Sequence, residues 1–244
     1  MNSKNPFFKG KLFTSSVVSA EVDSMTVAGT MNKSLVLLLL LVLGAGITWN
    51  MVDHNQNPIA FIIGGAILGF LAVIISSFKP TYSPVLAPLY AIFEGLFIGG
   101  ISALFEVRYP GIVIKAVGAT FMTYLVCALL YKYKVVQVTE RFKSVLIAAT
   151  LAIFAYYMVS LLLSLFLNFT PIHYGNSPIS IGISIFVIVI AALNLFLDFD
   201  QIERGSQAGL PKFMEWYSAM GLMVTLVWLY IEFLRLLSKL SSRD

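Results

Sequence analysis

Residues 35–43 read LVLLLLLVL, nine consecutive aliphatic residues that lead into GAGITW at 44–49. This run does not alternate with polar residues as a membrane β-strand does, and with its flanks it covers 34–52, about the length that a helix needs to cross a bilayer. Six more runs of similar length follow, at 58–78, 84–105, 111–131, 144–169, 178–199 and 214–238. The sequence therefore predicts an all-α polytopic membrane protein with a seven-helix bundle.

The composition supports a chain that is embedded in lipid. Hydrophobic residues make up 59% of the sequence and charged residues only 11%, whereas soluble domains carry charge on about a quarter of their positions. Too little polar surface exists to keep such a chain dissolved. We expect one transmembrane domain over residues 34–240, preceded by a polar cytoplasmic N-terminal tail over residues 1–33.

The motifs of the common enzyme classes are absent from the sequence. It contains no GxSxG elbow, no HExxH pair and no GxxxxGK[ST] loop, and Cys127 is its only cysteine. The basic residues flank apolar runs and do not form a stripe with interleaved aromatics, which disfavours nucleic-acid binding. We therefore expect no enzymatic activity and no cofactor, and the lipid bilayer is the first expected partner.

The distribution of Lys and Arg predicts the orientation of the helices. With a cytoplasmic N-terminus, eleven of the sixteen basic residues lie on the cytoplasmic side, and the loops at 53–57 and 170–177 contain none. These two loops are predicted to be outside, and their histidines, His54 and His173, are expected to be solvated. Seven crossings then place Arg235 and Lys239 outside, against the positive-inside rule.

We single out four carboxyl groups in the apolar runs or at their ends, because an ionisable side chain in hydrocarbon is costly and is kept for function or paired structurally. Glu94 lies near the middle of the third run, and its role is either functional or that of a protonated Glu bonded to a neighbouring helix. Asp198 and Asp200 are two positions apart, a rotation of about 200° on a helix, so they face different sides. We expect Asp200 at a solvated helix end and Glu232 in a local ion pair with Arg235.

Two GxxxG spacings occur, Gly65 with Gly69 and Gly95 with Gly99. Such pairs place small residues on one helix face, which predicts a close approach of the second and third helices, although glycine is common enough in membrane helices for the spacing to arise by chance.

One stretch resembles the Bax inhibitor-1 family, and specifically its bacterial branch. The stretch is LFLDFDQIERG at 195–205, which leads into MEWYSAMGLMVTLVWLYIEFLRLL at 214–237. The segments GTMNKSLVLLLLLVLGAGITW at 29–49 and FKPTYSPVLAPLYAIFEGLFIGGIS at 78–102 are similar to the same branch. The resemblance runs from about residue 27 to residue 240.

The resemblance implies a bundle whose last helix is central, a pH-sensitive calcium leak, and a location in the bacterial inner membrane. In the family, an Asp of the sixth helix four residues before an Ile pairs with an Asp of the seventh helix, and Asp198 with Ile202 fits that spacing. The second Asp is expected near Met223, which is apolar, and the family's Arg on the second helix is missing. We hypothesise that Glu94 replaces the missing Asp and serves as the pH-responsive group.

Three functions are consistent with these residues. The first is a cation leak channel, with Ca²⁺ as the ion and with Asp198 and Glu94 as oxygen ligands along its path, because hard cations take oxygen ligands. The second is a non-conducting regulator that binds other membrane proteins, such as a membrane protease. The third is a proton-coupled transporter that uses the same carboxyls as a relay.

Overall fold

The computed structural model of the protein describes residues 24–167 and 170–242, and these form an all-α bundle. Seven helices in this part of the chain are long and apolar enough to cross a membrane. Their bounds are α1 Val27–Asp53, α2 Ile59–Phe78, α3 Ser83–Arg108, α4 Ile112–Lys132, α5 Glu140–Leu167, α6 Pro178–Gln207 and α7 Met214–Ser241, and a short 3₁₀ helix at Pro80–Tyr82 precedes α3. The predicted fold class is confirmed.

Two helices extend well beyond the apolar runs that predict them. Helix α1 begins at Val27, where the Thr26 hydroxyl caps it by accepting a hydrogen bond from Gly29 N–H at 2.9 Å. Helix α6 continues to Gln207 because Ile202, 2% exposed, still packs in the core after the apolar run has ended. Hydropathy predicts the segment that is suited to the lipid core. The helix itself can extend further, and its ends are set by packing contacts and by capping residues.

Part of the predicted N-terminal tail belongs to the bundle. Met25 is buried and donates its backbone N–H to Leu210 O at 2.7 Å, and Ser24 forms an antiparallel bridge with Pro211. Residues 24 and 25 therefore pack against the α6–α7 connection at 208–213. The remainder of the predicted tail, residues 1–23, lies outside the described residues.

Helix α7 is central, as the family resemblance implies. It packs directly against α1, α3, α4 and α6, and buried residues are distributed around it along its whole length. Helix α2 packs mainly on α3, and α5 packs mainly on α6, so these two lie at the periphery. We call the end of the bundle that carries residues 208–213 the α6–α7 end, and the end that carries residues 170–177 the α5–α6 end.

The two GxxxG pairs serve different interfaces. A Cβ on Gly65 would lie 2.5 Å from Phe93 O, so this glycine does bring α2 against α3. A Cβ on Gly95 or Gly99 would lie 2.2 Å from Leu41 O or 2.3 Å from Ala45 O, so the second pair packs α3 against α1. The prediction that both pairs join the second and third helices is right for the first pair and wrong for the second.

The two basic residues that conflict with the positive-inside rule, Arg235 and Lys239, have partners within the protein at the α5–α6 end. Arg235 pairs with Glu232 and donates to the Tyr157 hydroxyl, while Lys239, 6% exposed, donates to Ser180 O and Ser184 Oγ. Asn176 of the 170–177 loop donates to Ser242 O at 3.3 Å, which places the end of α7 beside that loop. The charged groups of Arg235 and Lys239 are therefore stabilised by hydrogen bonds within the protein, in addition to any contact with solvent or lipid headgroups.

The solvated state expected for the two loop histidines holds for only one of them. His54 is exposed. His173 is only 5% exposed, and its ring contacts Tyr156, Tyr157 and Tyr174 at centroid distances of 5.2, 5.0 and 4.6 Å. A loop position therefore did not predict exposure, because three tyrosines close over the ring.

Candidate functional site

A cavity of about 180 Å³ with a mixed polar and apolar lining opens between α2, α6 and α7 at the α6–α7 end of the bundle. Helix α2 contributes Val73 and Ser77, and helix α6 contributes Asp198 and Gln201. The α7 wall consists of Tyr217, Ser218, Met220, Gly221 and Val224. The cavity thus brings together the carboxyl that the family motif singles out and two serine hydroxyls.

Asp198 is half-buried and lines this cavity without a full set of hydrogen-bond partners. The Thr225 hydroxyl of α7 lies within hydrogen-bonding reach of its carboxyl group. Oδ2 of Asp198 and Oγ of Ser218 are both buried, and neither has a hydrogen-bond partner among the described residues. Buried polar atoms normally find a hydrogen-bond partner, so an orphaned carboxylate oxygen and an orphaned hydroxyl beside one cavity call for an explanation.

Asp200 faces a different set of helices, as the two-residue spacing predicts. Its carboxylate is 3.0 Å from Lys143 Nζ of α5 and 2.8 Å from Arg204 Nε of α6. Glu140 joins the same cluster, 3.3 Å from Lys143 Nζ and 3.6 Å from Arg204. The expectation of a solvated helix end is wrong for Asp200, which is 8% exposed, because α5 brings a lysine against it.

Glu94 lies where α3 packs on α2. Its Oε2 is 3.0 Å from the position that a Cβ on Gly69 would occupy, so the small residue at 69 leaves room for the carboxyl group. Tyr90, one turn earlier on α3, lies beside the same glycine. Glu94 does not line the Asp198 cavity, but Val73, which does, is one helical turn from Gly69 on α2.

Glu232 forms the ion pair that its sequence position predicts. Arg235 Nη1 lies 3.0 Å from Glu232 Oε1, and the Tyr157 hydroxyl donates to the same oxygen at 3.1 Å. Trp228 lies close to the carboxyl, but Oε2 is buried and has no partner with hydrogen-bonding geometry among the described residues. This carboxyl holds α5 and α7 together at the α5–α6 end, far along α7 from the cavity.

The structure describes no group of three or more His, Cys, Asp or Glu side chains that could hold a metal ion within residues 24–167 and 170–242. Asp198 and Glu94, the predicted cation ligands, are therefore separate single carboxyls in the part of the chain that the structure describes. A cation at Asp198 would complete its coordination with hydroxyl oxygens, backbone oxygens or water, all of which are oxygen ligands of the kind that Ca²⁺ accepts.

Glu215 is the principal buried charge that the sequence reading missed. It lies in the first turn of α7, is 0% exposed, forms a salt bridge with Lys33 of α1, and lies 3.4 Å from Lys212 Nζ. Thr26 donates both its backbone N–H and its hydroxyl to Glu215 Oε1, each at 2.9 Å. The available signal was a carboxyl three residues after a lysine, whereas the contact with α1 needed the tertiary structure.

A family model described as Bax inhibitor 1 like matches residues 5–242. The chain belongs to the Bax inhibitor-1-like family. No curated protein matches it significantly. The family model covers nearly the whole chain, so all seven helices, and Asp198 with them, lie within the matched region.

This Bax inhibitor-1-like chain surrounds Asp198 with neutral groups of α7. Met223, where the resemblance expects a second Asp, is 2% exposed in the core and lines a different, apolar cavity. Ser218 and Gly221 line the Asp198 cavity instead, and Thr225 reaches the Asp198 carboxyl. A hydroxyl-bearing face of α7 therefore stands beside Asp198.

Proposed function

We propose that this protein is a cation leak pathway of the membrane, that Ca²⁺ is the permeating ion, and that the Asp198 cavity is its cytoplasmic mouth. The observation that carries the proposal is Asp198 itself, which lines the cavity, forms no ion pair with a described residue and has a buried Oδ2 without a hydrogen-bond partner among the described residues. A carboxyl kept only for structure would be paired, as Asp200 and Glu215 are.

The orientation belongs to the same proposal. The basic residues predict that the α6–α7 end faces the cytoplasm, so the cavity opens on that side, and the family's bacterial branch suggests the inner membrane. A cation that approaches from the cytoplasm meets Ser77 and Gln201 beside Asp198, both of which carry oxygen ligands.

Glu94 is proposed as the second carboxyl of the path and as its pH-responsive group. It lies on α3 beside Gly69 of α2, one turn along α2 from the cavity residue Val73. A cation that leaves Asp198 along α2 would meet Glu94 next. The competing role is a neutral Glu that only contributes to α2–α3 packing.

Ca²⁺ flux into proteoliposomes that contain only the purified protein tests the proposal. Wild type should admit Ca²⁺ without an imposed pH gradient, and Asp198→Asn should reduce or deregulate the flux more than Asp200→Asn does. No flux from folded wild type would instead support a non-conducting regulator that binds membrane proteins such as a protease. Flux that requires a pH gradient would support a proton-coupled transporter.

The same assay tests Glu94. The pH profile of the flux should change in Glu94→Gln if this carboxyl is the pH-responsive group. An unchanged profile in a Glu94→Gln protein that unfolds like wild type would leave Glu94 with a packing role alone, without affecting the proposal for Asp198.

A further inference from the structure

A groove of about 970 Å³ lies between α1 and α4 at the α6–α7 end of the bundle. Helices α1 and α4 both pack on α7 but have little direct contact with each other, which leaves the seam between them open. The wall of the groove within the membrane is largely apolar and aromatic, formed by Met31 of α1, Tyr124 and Ala128 of α4 and Phe199 of α6.

The rim of this groove carries basic charge that is not neutralised by the described residues. Lys132 and Lys134 line the rim, are exposed, and form no ion pair with a residue that the structure describes. Of the two acidic residues that line the groove, Asp200 pairs with Lys143 and Arg204, whereas Glu203 accepts hydrogen bonds only from the neutral Tyr131 hydroxyl and Gln207 amide and keeps its charge. With Lys132, Lys134 and Arg204 against Asp200 and Glu203, the lining still carries a net positive charge.

The seam continues deeper as an apolar slot of about 220 Å³. The hydroxyl groups that line the slot already have hydrogen-bond partners within the protein, so an apolar occupant leaves none of them unpaired. The Ser102 and Tyr230 hydroxyls bond to each other at 2.7 Å, and the Thr120 hydroxyl donates to Ala116 O at 2.8 Å. Val42 and Phe121, which are 57% and 48% exposed, stand at the edge of the slot and open it sideways to lipid.

The dimensions of the seam match one phospholipid chain. Tyr124 is the deepest α4 residue of the groove and lies eight residues, or about 12 Å along the helix, from Lys132. The slot begins at Phe121, about 4 Å further along the same helix. One leaflet of a bilayer contributes about 15 Å of hydrocarbon. An acyl chain whose headgroup lies at Lys132 therefore runs along the groove and ends at the near edge of the slot.

We propose that an anionic phospholipid binds in the α1–α4 seam, with its phosphate at Lys132 and Lys134 and one acyl chain along Met31, Tyr124 and Ala128. The two uncompensated lysines provide the preference for negative charge, and the apolar wall provides the preference for a chain. This site is separate from the Asp198 cavity and does not depend on ion conduction.

Native mass spectrometry of the full-length protein tests the site. The protein is purified in detergent and mixed with equal amounts of phosphatidylglycerol and phosphatidylcholine of the same chain length. Wild type should retain one phosphatidylglycerol in preference to phosphatidylcholine. Lys132→Gln and Lys134→Gln should each reduce that preference about fivefold, and the double variant about 25-fold, which follows from about a factor of five per lysine.

Two matched controls separate the site from general effects on lipid binding. Lys79→Gln removes an exposed charge at the same end of the bundle, where Lys79 lies against Tyr82, and should leave the preference unchanged. Ala128→Trp fills the groove and should lower the retention of both lipids. Leu125→Trp, at a 51% exposed position one turn away that does not line the groove, should not.

Three results would overturn the proposal. One is an unchanged lipid preference in the Lys132→Gln, Lys134→Gln double variant. Another is equal lipid retention in Ala128→Trp and Leu125→Trp. The last is the absence of a retained lipid in wild type, which is the result expected if another part of the chain fills the groove.

Discussion

Two buried carboxyls at the α6–α7 end of the bundle show opposite environments. Glu215 is 0% exposed, and Lys33, Lys212 and Thr26 all contact its carboxylate. Asp198, on the neighbouring helix, has Thr225 as its hydrogen-bonding neighbour, and its Oδ2 has no partner among the described residues. The first carboxyl joins α1 to α7, and the second belongs to a residue that lines a cavity.

The difference indicates what each carboxyl contributes. A fully paired buried charge becomes costly to the fold when one partner is removed, because the other charge is left without compensation. A carboxyl within a membrane span that pairs with no cation lowers stability, and such a group marks a functional site by default. Substitution at Glu215 should therefore affect folding, whereas substitution at Asp198 should affect transport. The following predictions test this contrast from the largest expected effect to the smallest.

Replacing Glu215 should have the largest effect on stability. Glu215→Gln leaves Lys33, whose side chain is 17% exposed, without its counter-charge, so we expect a loss of about 3 kcal/mol in the free energy of unfolding. Denaturant titration in mixed micelles would measure it. Glu140→Gln is the control, because Glu140 is 81% exposed and its ion pairs should contribute less than about 1 kcal/mol. Equal losses in the two variants would contradict the prediction.

Gly29→Ala should disturb the same contact from the α1 side. A Cβ at position 29 would lie 2.2 Å from Glu215 Oε1, so the carboxylate would have to move away from Lys33 and Thr26. We expect a loss of about 2 kcal/mol, which is typical of overpacking, in the same titration. Gly46→Ala, where an added Cβ meets no atom within 4 Å, should be close to neutral. If both substitutions are neutral, the Glu215 contact is looser than the structure indicates.

The two aspartates of α6 should separate stability from transport. Asp200→Asn weakens ion pairs with Lys143 and Arg204, which are 23% and 54% exposed, so we expect a loss of about 1 kcal/mol. Asp198→Asn removes no ion pair and should leave the unfolding free energy unchanged or slightly higher, even though it should reduce Ca²⁺ flux. A larger stability loss for Asp198→Asn than for Asp200→Asn would reverse the proposed roles.

The smallest effect concerns pH at the α5–α6 end. Burial lowers the pKa of His173 from 6.5 to about 4, and the nearby charges of Arg235 and Lys239 act in the same direction. Above pH 6.5 the ring is neutral in both the folded and the unfolded states. Between pH 6.5 and pH 4 only the unfolded state takes up the proton, so stability should fall as the pH falls through this range.

Thermal unfolding measured against pH checks this prediction. His173→Phe should remove part of the decline below pH 6.5, whereas His54→Phe, at an exposed position, should leave the decline as it is in wild type. An identical decline in wild type and His173→Phe would show that the ring is accessible to protons in the folded state.

Several features of the site were predictable because they depend on short separations along the chain. The Glu232–Arg235 pair follows from the three-residue spacing on one helix, and the divergence of Asp198 and Asp200 follows from helical rotation. The solvation of Asp200 and His173 was predicted wrongly because Lys143 and the tyrosines that bury them come from elsewhere in the chain.

The sequence alone determined the all-α class and the seven helices long and apolar enough to cross, because a continuous apolar run satisfies its backbone in a bilayer as a helix. The family followed from the match of the sequence over residues 5–242. The tertiary structure decided which carboxyls are paired. Glu215 meets Lys33 across 182 positions of sequence, and the groove between α1 and α4 exists because both helices pack on α7 and have little direct contact with each other. Such contacts depend on how helices pack in three dimensions, and the hydropathy of a single helix does not indicate which other helices lie beside it.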